Sequence, residues 1–338
     1  MKQANGGISL EKPTIWQKLT HNRKLVILFA VGILLYTSTF LITSSVFSVK
    51  NLMSLLKIAS FLGIVTAGQM FAFLIGGIDM SVASVITLAG ITGSVLFTMN
   101  LPLGAVLAAV LAIGLLIGAV NGFFISVVRI HPMVMTLAMG SILKGVSLIL
   151  TNGITRSGNS SLLKNFANKN LGYGITGSVI LWLVVGVSVT LLLRCTVFGR
   201  QVYILGSNPE VAYQSGVNTV RVQMAVYMIC SMMAALAGIM VLGYTGTTAL
   251  AAGDGYLLPG VAAVLLGGVS PLGGKGGYGG VAIGVFILIT LENLLMVLRM
   301  TTADKNILEG AILLIFIIIY NTKFSFRWRR LPNDRNMV

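Results

Sequence analysis

The feature that most limits what this chain can fold into is a recurring run of about twenty apolar residues, first at Leu25 and last ending near residue 321. A helix of that length crosses about 30 Å of hydrocarbon. Inside lipid the backbone finds no water, so such runs must close their hydrogen bonds internally as helices. The short alternating strands of an outer-membrane barrel do not occur. Ten spans can be drawn, at about 25–45, 52–75, 82–99, 103–127, 133–151, 177–196, 222–245, 258–272, 279–298 and 307–321. The eighth is short and glycine-rich, and is expected to be broken or re-entrant. The expected fold class is all-α: a polytopic transmembrane helix bundle of about ten spans, some broken, with both termini cytoplasmic.

The charges support this division. Only 9% of residues are charged, against about a quarter in soluble domains. Placing the N-terminus inside puts fifteen Lys and Arg on cytoplasmic segments and six on the other side, with Lys57 and Lys144 within spans. Basic residues gather on the cytoplasmic side of membrane proteins. The net charge of +15 is therefore topological, and no soluble basic domain exists to bind nucleic acid. The N-terminal polar stretch is too long, and too poor in cleavage signals, for a removable secretory leader. Three segments are expected: a cytoplasmic N-terminal segment (1–24), a transmembrane domain (25–322) with a cytoplasmic loop at 197–221, and a basic cytoplasmic tail (323–338).

Several residue patterns carry more than hydropathy. Gly114, Gly118 and Gly122 recur four apart on one helix face, a spacing that lets helices approach closely in lipid. Other glycines gather where helices should break, at Gly76-Gly77, Gly267-Gly268, Gly273-Gly274 and Gly276-Gly277. In the 197–221 loop, FGRQVYILGSNPEVAYQSGVNTVRV, Asn208 suits an N-cap, Pro209 the first helical position and Glu210 the positive helix end. Gly216 can close that helix in the left-handed conformation. A two-turn cytoplasmic helix from Pro209 to Ser215 is expected, rigid enough for a partner to push on.

This loop resembles the cytoplasmic coupling segment of bacterial ABC-importer permeases of the ribose, arabinose and xylose type. GGIDMSVASV, at residues 76–85, is similar to that family's Gly-Gly-Ile-Asp-Leu-Ser signature. DGYLLPGVAAVLLGGVSPLGGKGG, at residues 254–277, resembles its C-terminal pattern of Gly-Tyr-Glu-Leu, an alanine-rich helix, then Gly-Gly and Gly-Gly-Lys-Gly. The three matches fall in the family's order. Two departures are visible: Leu257 follows Gly255-Tyr256 where the family has a glutamate nearby, and Pro259 and Pro271 are placed near expected helix ends.

The resemblance implies a division of labour. ATP-binding cassette ATPase subunits would dock through Gly206, Asn208, Pro209, Glu210, Ala212, Ser215 and Gly216. A periplasmic solute-binding protein would deliver a small polar solute, first of all a pentose. A second permease copy or a related permease subunit would complete the pathway in the bacterial inner membrane. In accord with this, the chain has no Gly-x-x-x-x-Gly-Lys-Ser/Thr loop, since Gly276 follows Lys275 and Val269 stands five before Gly274.

Intramembrane polar groups are candidate pathway or gating residues. They are Asp79, which can equally cap the helix beginning at Ser81, Asn121, and the Glu292-Asn293 pair expected in the middle of the ninth span. Lys144 calls for an acid whose identity the sequence leaves open. Two distant histidines and the cysteines Cys195 and Cys230 form no metal-ligand set or disulfide framework, and no cofactor is expected. Two other readings compete. An ion-coupled secondary transporter would want more intramembrane acids than Glu292, Asp79 and Glu309. An intramembrane enzyme would need a nucleophile–base pair or metal ligands on facing helices.

Overall fold

The computed structural model describes residues 48–301 except 173, with scattered positions at 30–37 and 303–314. The expected segments 1–24 and 323–338, and most of the first and tenth spans, lie outside the described residues. Among the described residues the chain is helical, with two isolated β-bridges.

The helices are α1 (Val49–Leu74), α2 (Val82–Thr98), α3 (Leu103–Ser126), α4 (Pro132–Thr151), α5 (Ser161–Asn168), α6 (Gly177–Cys195), α7 (Val197–Ser207), α8 (Pro209–Gln214), α9 (Thr219–Thr245), α10 (Asp254–Leu266) and α11 (Tyr278–Val297). Six of them, α1, α3, α4, α6, α9 and α11, are long and apolar enough to cross a membrane. The apolar helices α2 and α10 are shorter, at 17 and 13 residues.

The second half of α1 is largely apolar, with Thr66 and Gln69 its polar residues, and it is buried continuously from Ala59 to Leu74. That is the behaviour of a central helix. It packs against α9, α11, α6 and α10. The glycine ridge of α3 seats α9. A Cβ on Gly118 would strike the Tyr227 carbonyl and Met228 Cα, and one on Gly122 would lie 2.7 Å from Met224 Cα. The two backbones therefore touch, as small residues at four-residue spacing permit. Across the bundle, Trp182 Nε1 donates to Tyr278 Oη at 2.7 Å, and Tyr278 Oη donates to the Gly63 carbonyl at 2.7 Å. This relay ties α6, α11 and α1 through groups that lipid could not satisfy.

The chain around the eighth expected span takes an unusual path. After α9 ends at Gly246 (φ +79°), Thr248 pairs with Arg156 in a two-bond bridge at 2.9 and 3.0 Å. Thr248 also packs against Gly90, and five residues later the Gly253 N–H donates to Thr87 Oγ1 at 3.0 Å. The connection thus runs down α2 toward its first turn before α10 begins. Instead of the expected 258–272, the helix is Asp254–Leu266. The glycines at 267–277 then turn repeatedly, four of them at positive φ. Pro259 lies well inside α10 and not near an end.

Two further helices form outside the expected spans. In α7, buried Gly199, Val202 and Leu205 recur three apart beneath an exposed face. In α5, Leu163 and Ala167 are buried against Gly243 of α9.

Candidate functional site

Two groups of residues stand out, and the first is built on backbone geometry. Thr196 Oγ1 accepts from Gly199 N at 3.1 Å and starts α7. Asn208 ends α7 and caps α8, its Oδ1 accepting from Glu210 N at 2.9 Å and Val211 N at 3.2 Å. Pro209 takes the first helical position, where its missing N–H costs nothing. At the other end Gly216 N donates to Tyr213 O and Val217 N to Ala212 O, both at 3.0 Å. With Gly216 at φ +76° and Ser215 as the C-cap, this is a Schellman closure. Ala212 and Val217 are buried beneath it, while Glu210, Val211 and Tyr213 are exposed.

This helix pair is keyed to the rest of the molecule. Gly206 lies so close to the Leu74 carbonyl that a Cβ could not be accommodated, and Gly274 N donates to that same carbonyl at 2.9 Å. Tyr203 Oη donates to Gly276 O at 2.8 Å. Burial raises the Tyr203 phenol above its usual pKa against the opposing effect of Arg194, so it stays a neutral donor. The end of α1, the end of α7 and the Gly-Gly-Lys-Gly turn meet at one junction. The seven residues expected to couple to a partner, Gly206 through Gly216, thus lie in the α7–α8 pair and its caps, exposed on one face and wedged beneath.

The second group is buried. Asp79 is 1% exposed and its Oδ1 accepts from the Ser81 N–H at 2.9 Å and from the Ser81 hydroxyl. Asn121 Nδ2 donates to Ser81 Oγ at 3.1 Å. Asp79 and Asn121, far apart in sequence, thus join through Ser81. The other Asp79 oxygen, Oδ2, lacks a hydrogen-bond partner among the described residues. Tyr227 Oη, Asn121 Oδ1 and Ser231 Oγ lack hydrogen-bond partners among the described residues. Asp79 fixes the entrance to α2, and it also places a carboxylate among polar groups of α3 and α9.

Glu292 and Asn293 do not join this group. They lie in the last third of α11 and not in its middle, at the end remote from the α7–α8 junction. Glu292 acts electrostatically on Tyr256, which also senses Tyr244. Lys57 places its ammonium 4.9 Å from the Tyr244 ring centroid, a cation–π contact. The acid that Lys144 calls for is Asp254, with Nζ 3.2 Å from Oδ1. Sequence reasoning could not find this pair, because 110 positions separate its members.

The family profile described as "Branched-chain amino acid transport system / permease component" matches residues 51–317. The ribose import permease protein of Haemophilus influenzae is 31% identical over 297 residues, covering 87% of this chain and 92% of that protein. The ribose import permease protein of Escherichia coli K12 is 32% identical over 280 residues, covering 82% and 87%. The L-arabinose ABC transporter permease protein of Azospirillum brasilense is 27% identical over 307 residues, covering 90% and 88%. No solved structure matches. The chain is a multi-pass bacterial inner-membrane transport subunit and not an enzyme, and it belongs to the family of ABC-importer permease components that these sugar permeases represent.

Proposed function

We propose that this permease carries a sugar, most simply a pentose, across the inner membrane, using ATP hydrolysed by separate cassette subunits that dock on α7 and α8. The observation that carries the reading is the double closure of α8, by Asn208 at one end and Gly216 at the other, on a junction that locks Gly206 to Leu74 and Gly274. A push on the exposed Glu210, Val211 and Tyr213 would reach α1 and the turn before α11 through rigid contacts rather than through a slack loop. The ribose and arabinose permeases similar to this chain support the solute class.

In this reading the α7–α8 face is cytoplasmic, about ten spans put both termini on that side, and two permease copies, or one with a related subunit, flank the pathway. A periplasmic binding protein delivers the solute. Asp79 and Asn121 line or brace the cytoplasmic half of the pathway, and Glu292 and Asn293 belong to its outer half. The ion-coupled alternative is weaker. Asp79 is engaged by Ser81, and Asp254 is paired with Lys144.

The test is uptake of labelled ribose and arabinose in cells expressing this chain with ATPase and binding-protein partners, comparing wild type with Glu210→Lys and Gly216→Pro. The expected result is normal insertion, weakened ATPase association and lost uptake in the variants. Uptake that persists without any ATPase and follows a proton or sodium gradient refutes the proposal.

A further inference from the structure

The Lys144–Asp254 pair stands at a depth and an exposure that lipid does not allow. Lys144 lies twelve residues past Pro132 and seven short of Thr151, or about 18 Å and about 10 Å along α4 at roughly 1.5 Å per residue. Asp254 is equally deep, because the preceding Gly253 is bonded to Thr87, inside α2, and packs against the Ala83 carbonyl. Even so, the two side chains are 57% and 49% exposed.

A charged pair at mid-depth faces protein or water. The face of α4 that carries it differs from a lipid-facing surface. Lys144 and Gly145 lie three and four residues past Ser141 and are exposed with it, a small and polar patch bordered by the exposed Leu137, Ile142 and Leu148. The exposed positions of α6 are mainly apolar, among them Ile180, Leu183, Val184, Val187 and Leu191, with Ser188 the one exposed polar residue well inside the helix. The re-entrant connection before α10 has a purpose in this light, since it brings a carboxylate down to the level of Lys144.

We propose that the Lys144–Asp254 pair is a solute station on the translocation pathway, wetted by water and visited by a polyhydroxylated solute. Each sugar hydroxyl can both donate and accept. A passing sugar can therefore donate to the carboxylate and accept from the ammonium while the two charges stay close enough to neutralise each other. Such a station holds a neutral sugar weakly and in no fixed register, which suits a site that must release what it binds. The inference rests on the permease reading and names a site within it.

The test uses the assembled transporter in membrane vesicles, in a Cys195→Ser background, with Cys230 left buried. Lys144→Cys is compared with Leu183→Cys, using a charged methanethiosulfonate reagent and the lipid-soluble N-ethylmaleimide. The expected result is reaction of Lys144→Cys with the charged reagent on the order of tenfold faster than Leu183→Cys. If Lys144→Cys resists the charged reagent, the position faces lipid or the second copy and the proposal is overturned. In the uptake arm, ribose, arabinose and allose are offered. Lys144→Met and Asp254→Asn should each cut uptake on the order of tenfold while the ATPase subunits still co-purify, and the swap Lys144→Asp with Asp254→Lys should restore part of it. Wild-type rates in Lys144→Met overturn the station even if the position is wet. If wild-type uptake does not need ATP, the permease reading falls, and the labelling result still reports separately on the water-filled site.

Discussion

Gly216 has a φ of +76°, and a Cβ added there would meet no atom within 4 Å. Gly216→Ala therefore isolates backbone strain from steric clash. An L-residue other than glycine or asparagine in the left-handed region costs roughly 1–2 kcal/mol. The strain falls on the two closing bonds, from Gly216 N and Val217 N, because both depend on that residue's conformation. Locally, a loss of about 1–2 kcal/mol raises the open population about 5- to 30-fold. Hydrogen exchange at the amides of 215–217 should accelerate by that factor, with no measurable shift of the thermal transition of the whole bundle. Gly216→Asn should recover most of the protection, since asparagine tolerates this region. Uptake should follow the same order, wild type and Gly216→Asn above Gly216→Ala. Equal exchange in wild type and Gly216→Ala would falsify the claim that a left-handed residue closes α8.

Other substitutions probe the packing. Gly118→Leu forces a side chain into the Tyr227–Met228 backbone and should lower the thermal midpoint in detergent, at a cost of about 1–3 kcal/mol or loss of the fold. A wild-type melting curve for that variant would show that α3 and α9 do not touch. Tyr278→Phe leaves the Trp182 N–H and the Gly63 carbonyl without their shared partner, and should destabilise the bundle by about 1–2 kcal/mol, read by the same melt. Asp79→Asn keeps an acceptor for the Ser81 N–H, so it should insert and melt nearly as wild type, whereas Asp79→Ala should lose about 1 kcal/mol or more. If the two variants melt alike, the Asp79 bond to the Ser81 N–H does not hold the turn that enters α2.

The relation between sequence and structure differs from element to element. The α8 helix was legible because every part of it is local. Asn208, Pro209, Glu210 and Gly216 each act within four residues of their own position, and their chemistry names the helix's ends. The glycine ridge of α3 was legible for the same reason, although the identity of its partner, α9, was not. The α7 and α5 helices are not legible because they are short and carry polar residues among their apolar ones, and burial against distant helices stabilises them.

Composition and periodicity by themselves determined that the chain lives in a membrane, where most of its long helices fall, and where a short capped helix interrupts them. These outcomes follow from hydrophobic burial and backbone hydrogen bonding acting over a few turns. Only the tertiary structure decided that Asp79 meets Asn121 through Ser81, that Glu292 lies away from both beside Tyr256, and that the chain before α10 descends along α2 to bring Asp254 to Lys144. A charge in a low-dielectric layer must find a partner or water somewhere in three dimensions, and the chain separation between such partners leaves no local pattern from which to read them.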